Sequence, residues 1–167
     1  MDTFSREILK ELLPTEKEVV PPPSKPPAQH ISPLDHWSHP VLLERAAYLR
    51  KMAALSDGSA SETLQQYPQH CTMLSVRLRS GIAELHENFA DIFYVLEGRA
   101  ILESGGKVVA AKVIAPGEIR GDSIEGGTKQ ELRVGDVAHV AAGQPHQFLL
   151  AGDKTVTCLV VKIQQSL

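Results

Sequence analysis

The 167-residue chain reads as mainly β: a closed or sandwiched antiparallel domain, preceded by an arm and one or two short helices. Three observations carry that reading. From Ser61 onward the chain alternates short apolar or alternating runs with turn residues, the pattern of many short strands. The segment before it is proline-rich and unable to supply a central strand. Apolar residues make up 43% and charged residues 22%, ordinary for one folded domain of this length.

Residues 1–34 form the first unit. Phe4, Ile8, Leu9, Leu12 and Leu13 recur at helical spacing, and Pro14 ends that pattern. Seven prolines from Pro14 to Pro33 then fix an extended spacer or arm. Residues 35–60 form a helical unit. The helix is expected over Pro40–Leu55, with Ser38 as N-cap and Pro40 in the first turn. Its apolar face is Val41, Leu42, Ala46, Leu49, Met52 and Ala53; Glu44, Arg45, Arg50 and Lys51 cover the other side. Asp57-Gly58 stops it.

Residues 61–167 hold the strands. They are expected at 70–78, 83–88, 91–97, 99–104, 107–113, 129–133, 136–141, 146–151 and 155–163. Ser80-Gly81, Gly98, Gly105-Gly106, Gly126-Gly127, Gly135, Gly143 and Gly152-Asp153 mark the turns. Within 107–130, Gly117, Gly121, Gly126 and Gly127 suggest a loop-like insert. Glu118, Arg120 and Asp122 are candidates there to gate a barrel mouth, against the plainer reading of a solvated hairpin.

Charge and composition exclude several classes. A net charge of −3 leaves no basic surplus to neutralise phosphates, so nucleic acid is not an expected partner. No run approaches the roughly 20 apolar residues of a membrane span. The first residues, charged throughout, lack the apolar core of a secretory signal. Cys71 and Cys158 read as free thiols in apolar strands, which fits a cytoplasmic setting.

Two segments carry chemistry. The first is Glu84-Leu85-His86-Glu87-Asn88-Phe89-Ala90-Asp91, running on to Gly98; the second runs from Gly135 through Gly143 to His146. Together they resemble the two signature motifs of the cupin superfamily. His86, Asp91 and Gly98 fall at the first motif's spacing, and Gly135, Gly143 and His146 at the second's. Three positions depart: the first histidine of the pair is absent, an aspartate replaces the glutamate, and Ala141 replaces the proline. Anchoring on Asp91 and Gly98 places Glu84 at the missing histidine. Starting the pair at His86 places Asn88 at the second, at the cost of a shortened gap.

The resemblance implies a single jelly-roll-type barrel, a homodimer, and a divalent metal held by Glu84, His86, Asp91 and His146. Residues 84, 86 and 88 share parity, so a strand sends them to one face. Imidazoles mixed with carboxylates suit Fe, Mn, Ni or Zn with open coordination positions. The expected activity is metal-dependent chemistry on a small polar or acidic molecule, with His70 as a proton shuttle. The alternative is a metal-free barrel whose polar cluster orients a small ligand.

Overall fold

A computed structural model describes residues 34–151 and 154–165. The expected first helix and almost all of the Pro-rich arm lie outside the described residues.

Helix α1 (His39–Ala54) starts after Ser38, which is extended and places Pro40 where no amide donor is needed. Gly58, with φ 96°, closes its end by donating its amide to Ala53 O at 3.2 Å. Leu42, Ala46 and Leu49 are buried against Leu64, Leu74, Val76 and Leu96, and Ala53 is buried as well. The buried face is narrower than expected. Val41 and Met52 are each 41% exposed, while Arg45, expected on the polar side, is buried. Its guanidinium forks onto Glu62 with two 2.6 Å bonds, which is what allows a charge beneath the helix.

Twelve strands follow among the described residues: β1 (Ser59–Gln66), β2 (His70–Arg77), β3 (Ala83–His86), β4 (Phe89–Ser104), β5 (Lys107–Val109), β6 (Lys112–Ala115), β7 (Glu118–Gly121), β8 (Ser123–Glu125), β9 (Thr128–Arg133), β10 (Val137–Val140), β11 (His146–Leu149) and β12 (Val156–Gln164). One curled antiparallel sheet runs β1-β2-β12-β4-β11-β3-β7-β6, with β9 and β10 also paired to β4. The expected strands at 91–97 and 99–104 are a single strand, β4. Its first half pairs with β12 and β10, its second with β9 and β11. The chain turns from one wall of the barrel to the other at Gly98.

Gly98 has φ 75°, and a Cβ there would lie 2.0 Å from the carbonyl oxygen of Thr155. Only glycine fits that bend. The core between the walls contains Phe93, Val95, Leu102, Leu132, Phe148 and Val160.

The 107–130 insert is not a loop. It folds into β5–β8 and the start of β9. Gly106, just before it, and Gly117 and Gly126 within it take positive φ and serve as the turns between very short strands. The consequence for function is that β7 pairs with β3, setting Arg120 opposite Glu84 and Glu118 opposite His86. None of the described helices is long and apolar enough to cross a membrane.

Candidate metal centre

β3 carries Glu84 and His86 two residues apart, so both side chains face the barrel interior. β11 brings His146 beside them, paired with Glu84. The Gly143 amide donates to His86 O at 2.8 Å, so the second motif's turn clamps the first motif's histidine. Glu84, His86 and His146 each offer a ligand atom, all within 4.8 Å of one another. Asp91, at the start of β4, places Oδ2 3.4 Å from His86 Nε2 and 3.5 Å from His146 Nε2. His86 Nε2 is 3.7 Å from Glu84 Oε2.

These separations are too long for good hydrogen bonds. They are close to the spacing of donor atoms that share one ion at about 2.1 Å. The orientation of His86 fits as well. Its Nδ1 lies 2.7 Å from Glu118 Oε2, a carboxylate that accepts the ring proton and leaves the Nε2 lone pair facing the cavity. The donor set therefore suits a divalent ion with nitrogen and oxygen ligands.

Charge around the set is organised. Arg77 donates to Glu84 Oε1 at 2.7 Å, and Arg120 Nη2 lies 3.0 Å from Glu118 Oε2 and 3.5 Å from Glu84 Oε2. Lys162 on β12 stands 2.9 Å from Asp91 Oδ1, across the strand pair. Burial works to raise the Glu84 carboxyl, but Arg77, His146 and Arg120 outweigh it and hold the group below its ordinary value. Burial depresses His146 below the ordinary imidazole value, with Asp91 and Glu84 opposing only in part. His146 is thus poised neutral, as a ligand must be.

The cavity has a volume of about 310 Å³. Glu84, His86, Asp91 and His146 all line it, whereas Asn88 does not. Asn88 lies past the end of β3, where its carbonyl accepts from Gln165. His70 is also elsewhere. It is exposed at the start of β2 and stacks on Tyr67 at 4.3 Å. Parity explains this: Leu74 and Val76, which share its face, pack under α1, while Met73, Ser75 and Arg77 line the cavity. His70 therefore has no geometry for shuttling protons in the barrel.

Glu118 and Arg120 do reach the cavity, but from a wall and not a mouth. Arg77 and Lys162 were not singled out in the sequence. Alternation with the apolar residues of their strands was the only signal that could have found them.

No family model matches the chain, and no curated protein matches it. Solved structures do. TT1209 from Thermus thermophilus is 19% identical, with a TM-score of 0.52 over 74% of this chain and 95% of that one. A conserved Klebsiella pneumoniae protein with a double-stranded β-helix domain is 16% identical, with a TM-score of 0.49 over 66% of this chain and 82% of that one. A cupin superfamily protein from Desulfitobacterium hafniense is 18% identical, with a TM-score of 0.44 over 64% and 78%. Likeness at these identities is likeness of fold. A curled antiparallel barrel, bent at Gly98 and with Gly143 and His146 set against His86 and Glu84, gives this chain a cupin fold.

Proposed function

We propose that the barrel holds a divalent metal ion on Glu84, His86 and His146, with Asp91 beside them, and acts on a small polar or acidic molecule. One observation carries this: Glu84, His86 and His146 each offer a ligand atom, all within 4.8 Å of one another, while Glu118 fixes the His86 tautomer from behind. Such an ion supplies Lewis-acid polarisation of a bound oxygen. The chain's own groups do the rest. Arg77 holds Glu84 in place, Glu118 keeps the His86 ring proton at Nδ1, and Lys162 pairs with Asp91 inside the barrel. The N/O set suits Fe, Mn, Ni or Zn. Association as a homodimer belongs to the same proposal and is read from sedimentation.

Metal content after dialysis against Mn(II) tests the site. Retention should rank Asn88→Ala above Glu84→Gln above His86→Ala. Glu118→Gln should lose about 10–100-fold in affinity, as expected when the group orienting a ligand is removed. Asn88→Ala proving worse than Glu84→Gln would remove Glu84 from the set.

A second reading has its own support. Arg77, Arg120 and Lys162 already pair with Glu84, Glu118 and Asp91, a network neutral without an ion. A metal-free cavity orienting a small ligand is that reading. Metal contents equally low in all four variants and the parent would favour it.

A further inference from the structure

The cavity lining joins the charged cluster just described to an apolar set: Met73, Phe93, Phe148, Val156, Cys158 and Val160, supplied by β2, β4, β11 and β12. The two sets meet directly, Phe93 packing on His146 and Arg77 lying over Phe148. Burial pushes the Cys158 thiol up to about 12, so the apolar set stays uncharged at neutral pH. A volume of about 310 Å³ lies at the small end of ligand pockets, which run roughly 300–1,000 Å³.

Formal charge in the cavity balances. Arg77, Arg120 and Lys162 supply three cations and Glu84, Asp91 and Glu118 three carboxylates; on the metal reading both imidazoles donate a lone pair and add no charge. A divalent ion then leaves the cavity two positive charges in excess. The walls are largely buried, with His86, His146 and Asp91 at 3–4% exposure, and an uncompensated charge there is costly. The molecule that enters must bring negative charge. Arg120 is placed to share it, since Nη2 lies 3.5 Å from Glu84 Oε2, a carboxylate oxygen offered to the ion. Its planar fork suits a carboxylate.

We infer that the ligand of the metal-loaded cavity is a small organic carboxylate with a short apolar body, its anionic end between the ion and Arg120 and its body against Phe93, Phe148 and Val160. This rests on the metal reading above. It adds which chemical class is taken, which way round it lies, and which residues choose it.

The test uses the full chain loaded with Mn(II), with uptake measured first and without organic ligand. Calorimetric titration then compares three probes: 4-methyl-2-oxopentanoate, pyruvate, and the uncharged amide of the first. The branched acid should bind at least about tenfold more tightly than pyruvate, because its additional methylene and methyl groups leave water. The amide should bind at least about tenfold more weakly than its acid.

Arg120→Met should separate the two readings, since losing a cation beside Glu84 leaves Mn(II) uptake intact or stronger while branched-acid affinity falls at least tenfold. Arg120→Lys, which keeps the charge, should recover part of that loss. Absence of Mn(II) uptake overturns both the metal reading and this one. Uptake with the amide bound as well as the acid, or pyruvate as well as the branched acid, overturns the ligand class alone. The three probes on the unaltered chain decide this even if Arg120→Met fails to fold.

Discussion

Asp91 is one methylene shorter than the glutamate that the cupin motif implies at its place, and Lys162, which also lines the cavity, lies 2.9 Å from its Oδ1 and 3.3 Å from its Oδ2. The ammonium therefore competes with any cation for Asp91. Lys162→Met should free that carboxylate toward the imidazoles and tighten Mn(II) binding about tenfold, a direction set by removing a like charge beside the ion. Lys162→Arg should stay near the parent value. Weaker Mn(II) binding in the methionine variant would show that Lys162 supports the site and does not restrain it.

Acid should act on the same residues. His146 titrates in the folded protein below its unfolded value of about 6.5, so the unfolded chain takes up protons first. The stability it contributes is complete above about pH 6.5 and is lost as pH falls through the folded value. Glu84 has the same sign lower down: complete above its ordinary carboxylate range, lost as pH falls through its depressed value. The Tm of metal-free protein should therefore decline from pH 7 to pH 4, and metal affinity with it. His146→Gln should flatten the upper part of that decline. A Tm unchanged from pH 7 to pH 5 in the parent would refute the burial argument. Motif spacing points to His86 and His146, and strand parity adds Glu84 beside His86; the three lie within 4.8 Å of one another. His70 misled because its run alternates just as well; which face looks inward is decided by α1.

Among elements, the strands easiest to read were those with apolar residues on both faces, such as β4 and β12. β1 was not anticipated as a strand. Its sequence, SASETLQQ, buries only Leu64 fully, and it lies at the sheet's edge under α1. The expected strand at 107–113 merges β5 with the start of β6, and β7 and β8 escape notice altogether, since glycines that end three- and four-residue strands look like a glycine-rich loop. That concealed the pairing of β7 with β3 and hence the Glu118–His86 contact. Gly98 was read as a separator between two strands but is a bend within one. Gly98→Ala should cost about 3 kcal/mol or more, combining positive φ with a backbone clash at the Thr155 carbonyl. Urea unfolding measures it; a loss under about 1 kcal/mol would show that the bend can relax.

The molecule as a whole draws its described core from Leu42 onward, through the cluster under α1 and the cluster inside the barrel. A chain beginning at Leu34 should therefore unfold cooperatively, with a Tm within a few degrees of the full chain by calorimetry. A broadened transition would mean that residues 1–33 belong to the core. The strand order also carries a consequence in time. β12 lies between β2 and β4, so Val156 meets Arg77 on one side and Gly98 on the other. During synthesis, β2 and β4 both emerge long before the strand that must separate them. β2 can pair with β1, and β4 with β9, β10 and β11, but the edge that each keeps for β12 stays open until residues 156–164 arrive; pairing β2 directly with β4 in the meantime is a trap of the kind that makes non-local sheets slow to form. Lys162, Val160 and Cys158 come with that last strand. The cavity has no floor until the barrel is nearly finished, and a half-made chain presents two imidazoles and their carboxylates to the cell without a chamber to enclose them.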